Sequence, residues 1–162
     1  MINFKNLLPI AADNNYRGHP FALWAFILFV ALMTWRSIIH MFFEKVGVHD
    51  IANFIILTGD PDPMPVIYLF FSLWGFAQLI FCLFCWIVIA RYKSLIPLMY
   101  LFWVFEWTVR EFFYGLIKGT IAEMGKYTND ITPGAEYAPY VIIFLVAMFF
   151  MSILERKQSS NA

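Results

Sequence analysis

Charge is what this sequence has least of. Only 14% of its 162 residues are Asp, Glu, Lys or Arg, where a soluble domain carries roughly 25%. Too few ionic groups are present to make the surface of a soluble globule of this size wettable. Excess charge of one sign is missing too, since eleven basic residues balance eleven acidic ones. No basic patch offers a footprint for nucleic acid, which is set aside as a partner.

Cysteine is almost absent. Cys82 and Cys85 stand as C-L-F-C inside an apolar run. A redox pair works from an exposed helix N-terminus that stabilises a thiolate, and a structural zinc site takes four ligands. Neither condition is met, so both cysteines read as small residues facing core or lipid. The signatures of soluble catalysis are missing as well: no phosphate-cradling glycine loop, no nucleophile elbow, no dinucleotide fingerprint. His40, Glu44, His49 and Asp50 crowd one stretch but match no metal-ligand spacing, so no metal is expected and no cofactor is assigned. The first twenty residues hold no apolar run followed by a cleavage site, and the first span is expected to act as its own signal anchor.

What is abundant is apolar length. The sequence is 62% hydrophobic and 20% aromatic. A bilayer core about 30 Å thick takes roughly 20 apolar helical residues, and four stretches approach that. Residues 20–43 form the first, charge-free from Phe21 to Trp35, then continuing through Arg36 and His40. Residues 66–90 carry no charge at all. Residues 94–117 follow after only a tight turn at Arg91-Tyr92-Lys93. Residues 137–154 are again without charge. Lipid offers the backbone no hydrogen-bond partners, so spanning segments are helices or closed barrels, and these runs exceed the 9–11 residues of a barrel strand. The expected fold is therefore all-α: a polytopic membrane protein of a single domain, a four-transmembrane-helix bundle with short surface helices. One surface helix is expected around Phe4, Leu7, Leu8 and Ile10. A second is expected over 51–57 with Asp50 as its N-cap, ended by Gly59-Asp60-Pro61-Asp62-Pro63.

Basic residues give the orientation. Lys5 and Arg17, Arg91 and Lys93, and Arg156 and Lys157 share one side, against Lys45, Lys118 and Lys126 on the other. The positive-inside rule then puts segment 1–19 and tail 155–162 in the cytoplasm, in a cell or bacterial inner membrane. The lipid bilayer is the expected partner, with a homo-oligomer or another membrane protein beside it.

Ionisable residues nevertheless lie within two of the spans. At 1.5 Å per helical residue, Glu106 stands roughly 20 Å from the inner surface, Arg110 and Glu111 about 6–8 Å further out, and Arg36 about 24 Å up the first span, with His40 one turn beyond. Gln78 sits near the middle of the second span. Arg36, His40 and Glu44 share one helical stripe; Trp103, Glu106, Arg110 and Tyr114 share another. A charge at the bilayer centre costs about 2.5–3.5 kcal/mol even on the lenient scale. Arg36 is therefore expected to meet Glu106 or Glu111 across the interface, while Glu106 and Arg110 pair at i,i+4. Nearby Trp and Tyr rings could also cage a cationic ligand, and Gly75 is expected to let the second span approach the third closely.

Three functional expectations follow. In the first, Arg36, His40, Gln78, Trp103, Glu106, Arg110, Glu111 and Tyr114 surround a small ligand or lipid headgroup, or else the charges lock helix packing within an assembly. In the second, the chain is a membrane-embedded enzyme on a lipid-soluble substrate, with Glu106 as acid/base. In the third, it is a proton-coupled carrier using Glu106 and His40.

Overall fold

A computed structural model describes residues 6–117 and 126–154, with side chains 114–117 outside the description. Every regular element among these residues is helical: α1 (Pro20–Phe42), α2 (Met64–Arg91), α3 (Ile96–Thr108), α4 (Pro133–Glu136) and α5 (Ala138–Ile153). A 3₁₀ turn, Lys93–Leu95, leads into α3. Two segments are π-helical: Val46–Ile51, and Val109–Ile117, which continues α3.

Proline starts each helix. Pro20, Pro65, Pro97, Pro133 and Pro139 fall in the first turns, where a missing N–H costs no hydrogen bond and the fixed φ suits a helix. At α1 the His19 ring nitrogen Nδ1 accepts the Phe21 N–H at 3.2 Å and caps the helix. Phe43 leaves helical geometry and ends α1, so the Arg36–His40 stripe stops before Glu44.

α1 packs chiefly on α2, and α3 on α5. Aromatic contacts join the layers. Phe26 meets Tyr100 at 4.9 Å, Phe29 meets Trp103 edge-on at 5.1 Å, and Phe81 meets Trp103 at 4.7 Å. Such pairs add about 0.5–1.5 kcal/mol each beyond burial. The Tyr100 hydroxyl donates to the Ala22 carbonyl at 2.7 Å. Cys82 and Cys85 are free thiols, fully buried in this core.

The outer faces of the same helices are apolar as well. Leu28, Phe70, Phe84, Phe105 and Ile143 are all more than half exposed. α1 and α2 are long and apolar enough to cross a membrane, and α5 is a shorter apolar helix.

Gly75 explains how α1 and α2 come so close, and it corrects the partner expected from sequence. A Cβ there would lie 2.6 Å from Met41 N and 2.7 Å from His40 Cβ, so Gly75 faces α1, not α3. The Ser72 hydroxyl donates to Met41 O at 2.8 Å along the same seam. Helical spacing identifies a small face but not which neighbour meets it.

Loops close both ends. At one end Asp13 N donates to Ser94 Oγ at 2.9 Å, His19 N donates to Met151 O at 3.1 Å, and Gly18 packs on the Ser152 carbonyl. The described part of the expected N-terminal surface helix, residues 6–10, is not α-helical; residues 1–5 lie outside the description. At the other end Phe54 bridges Thr128, Ile55 N donates to Tyr127 O at 2.9 Å, and Thr132 Oγ1 donates to Ala52 O at 2.8 Å. The surface helix expected over 51–57 is displaced to Val46–Ile51, preceded by Lys45 and not by Asp50. Asn53 turns the chain with a φ of 59°, and the residues after it are not helical: Ile55 N donates to Tyr127 O, and Asn129 N donates to Asn53 O.

Candidate functional site

The polar cluster lies toward the end closed by the 43–63 and 126–137 segments. α1 supplies Arg36 and His40 from its last two turns. α3 supplies Glu106 and Trp107. Arg110 comes from the first turn of the π-helix that follows. α2 lays Trp74 and Phe71 against the α1 residues: His40 stacks 4.5 Å from Phe71 and 4.9 Å from Trp74, and the Arg36 guanidinium sits 5.0 Å over the Trp74 ring. Arg36 also reaches α4, since a Cβ on Gly134 would come within 3.9 Å of Arg36 Nη2.

On α3 the Arg110 guanidinium lies 3.8 Å over the Trp107 ring. Its Nε is 3.4 Å from Glu106 Oε1, close enough for an ion pair but outside hydrogen-bond alignment, so Nε keeps an unused N–H. The expected i,i+4 pair is thus present but loose. Arg110 stands in the first turn of the π-helical segment, three residues after Trp107 and four after Glu106, spacings that put all three on one helical face. Nothing in the local sequence V-R-E-F-F-Y-G announces that segment.

The expected ion pair between Arg36 and Glu106 or Glu111 does not form: among the described residues, Arg36 has no carboxylate within 4 Å. Trp74 takes the position a carboxylate would have held. Two of the rings near the cluster, Trp74 and Trp107, carry the chain's own Arg36 and Arg110.

Among the described residues, a set of buried polar atoms is left without hydrogen-bond partners: Arg36 Nη1, His40 Nδ1, Glu106 Oε2, Trp107 Nε1, and Arg110 Nε and Nη2. Buried polar atoms are nearly always paired, and an unpaired one costs about 1–3 kcal/mol, more when charged. The cluster is not sealed, because the Glu106 and Arg110 side chains are 32% and 24% exposed.

The remaining sequence candidates fall elsewhere. Gln78 is buried one layer away in the α1–α2 seam, its Oε1 3.2 Å from the Ser37 hydroxyl, which also donates to Met33 O at 2.7 Å. Trp103 is fully buried among Phe29 and Phe81 in the core. Glu111 is half-buried beside Arg110. The Tyr114 side chain lies outside the described residues. Trp74 was among the rings expected around the cluster, though for a cationic ligand and not for Arg36 itself; sequence reasoning missed Gly134 as a neighbour of Arg36, since it comes from the loop-borne α4.

His49 forms a separate network. Its Nδ1 lies 2.8 Å from Phe54 O and its Nε2 2.6 Å from Tyr68 Oη. A carbonyl only accepts, so Nδ1 carries the proton, and in the neutral ring Nε2 accepts from the Tyr68 hydroxyl. His49 is thereby tied to the loop fold. Among the described residues no three His, Cys, Asp or Glu side chains gather as a metal site. No protein family, curated protein or solved structure matches this chain.

Proposed function

We propose that this chain is a four-span membrane protein with both termini in the cytoplasm, and that the Arg36–His40–Glu106–Arg110 cluster holds a small ligand or lipid headgroup in the outer half of the bilayer. The apolar outer faces support the lipid setting, because contiguous exposed apolar surface on this scale is not tolerated in water. The basic residues of the 6–19 and 91–95 end support the orientation. α3 with its π-helical continuation and α5 supply the third and fourth spans.

One observation carries the ligand reading over a packing lock: Arg36 Nη1 is buried with no acceptor. A lock made of buried charges pairs them, since a buried charge without its partner is strongly destabilising. Here Arg110 pairs loosely with Glu106, Arg36 has no carboxylate within ion-pair distance among the described residues, and the excess donors await acceptors. A bound group carrying those acceptors completes the cluster.

The thermal stability of Arg36→Met in neutral detergent tests this. An apolar side chain of similar length removes the desolvation cost of a buried, unpaired charge without breaking an ion pair. The ligand reading therefore predicts that the variant melts no lower than the native chain when no ligand is added, and that it loses the stabilisation one class of headgroup gives the native chain. A large drop in melting temperature, with no headgroup dependence in the native chain, contradicts it.

A further inference from the structure

We propose that the group held by the cluster is a phosphate oxyanion, presented by a lipid headgroup or by a free phosphate ester; this rests on the ligand reading above. Unpaired donors set the chemistry. Arg36 offers Nη1 from α1, while Arg110 offers Nε and Nη2 from the π-helix after α3. Three guanidinium nitrogens on two helical segments are thus without acceptors among the described residues, which favours a ligand with several acceptor oxygens. A carboxylate presents two oxygens in one plane. A phosphate presents oxygens at tetrahedral corners, and the guanidinium fork matches its edges.

The trapped carboxylate refines the class. Glu106 Oε2 is buried without a donor, and an ionised carboxylate beside an anion repels it unless a proton lies between them. A proton therefore sits between Glu106 and the bound group, carried by the carboxyl itself, by the phosphate or by a hydroxyl beside it. Cationic headgroups are disfavoured, because the Trp74 and Trp107 faces that would receive them are covered by Arg36 and Arg110. Exposed Trp35 and Phe105, the sequence neighbours of Arg36 and Glu106, offer apolar shoulders for acyl chains when the phosphate belongs to a lipid. Arg110 sits in the π-helical segment, and such segments recur at functional sites.

The test measures thermal stability of the purified full chain in neutral detergent against four probes: phosphatidylglycerol, monogalactosyl diacylglycerol, oleate and free glycerol 3-phosphate. Phosphatidylglycerol is expected to raise the melting temperature at concentrations where the galactolipid and oleate do not. Its apparent affinity is expected to fall about tenfold or more in Arg36→Gln and in Arg110→Gln, the loss of one charge-assisted hydrogen bond. An equal shift by glycerol 3-phosphate assigns the site to soluble phosphate esters; a shift by the lipid alone assigns it to headgroups, and both sustain the proposal. Oleate or the galactolipid matching phosphatidylglycerol, with the same dependence on Arg36, overturns the phosphate assignment and leaves the ligand site standing. No probe giving a shift that depends on either arginine overturns both. The headgroup comparison on the native chain decides the matter even where a variant does not fold.

Discussion

The Arg36 guanidinium stands 5.0 Å over the Trp74 ring, on the neighbouring helix, and among the described residues no carboxylate lies within ion-pair distance of it. The contact leaves the guanidinium edge free while its face is covered. A cation over an indole is worth about 0.5–2 kcal/mol depending on desolvation, less than the cost of holding a charge at that depth. The difference is what an anionic ligand would supply.

Gly75 sets how near Trp74 and His40 can come. Gly75→Ala would place a methyl group 2.6–2.8 Å from Met41 N, His40 Cβ and His40 C, where backbone cannot yield cheaply. The variant is expected to lose about 1–3 kcal/mol, read as a lower melting temperature in detergent. Gly134→Ala, whose nearest neighbour would be Arg36 Nη2 at 3.9 Å, is expected to stay close to the native value. Equal melting of the two variants would count against the α1–α2 seam described here.

Asp13 gives a pH prediction at the end closed by the N-terminal segment. The Asn15 N–H donates to its Oδ1 at 2.9 Å, the Arg17 guanidinium pairs with its Oδ2, and the carboxyl is held below its usual 3.8. A folded-state value below the unfolded one stabilises fully above the unfolded value and is lost as pH falls through the folded value. Protease sensitivity of residues 6–19 is therefore expected to be flat from about pH 7 to about pH 5 and to rise only below about pH 4. Asp13→Asn should remove that acid dependence. Fraying that begins near neutral pH would assign the switch to another group.

Topology has its own test. In a Cys82→Ser, Cys85→Ser background, Arg91→Cys and Asp130→Cys each place a thiol at an exposed position at opposite ends of the bundle. A membrane-impermeant maleimide on intact cells is expected to label Asp130→Cys at once and Arg91→Cys only after lysis. The reverse pattern inverts the orientation, and labelling of both without lysis removes the third span.

Much of the helical layout was legible because its signals are local. Pro20, Pro97 and Pro139 mark helix starts, uncharged runs fill the interiors, and Arg91 and Lys93 bracket the tight turn before α3. The clustering of Arg36, His40, Glu106 and Arg110 was legible from periodicity and depth. Pairing was not. Which side chain covers Arg36 depends on the rotation of α2, and the period of α2 carries no information on that, because apolar residues surround it on all sides. The π-helical turn at Val109 was hidden since its residues suit an α-helix equally well. The 43–63 loop was misread because Ile51 to Leu57 is apolar enough for a helix, while its backbone partners lie at 127–129, far along the chain. Gln78, expected beside the ligand cluster, accepts from the Ser37 hydroxyl in the α1–α2 seam.

Native mass spectrometry of the protein released gently from detergent puts the central claim most directly to the test. The native chain is expected to carry one phosphate-bearing molecule per chain, and the Arg36→Met, Arg110→Met double variant, folded by its melting transition, is expected to carry none. Bare protein in both samples, or the same adduct in both, would contradict a ligand held by this cluster.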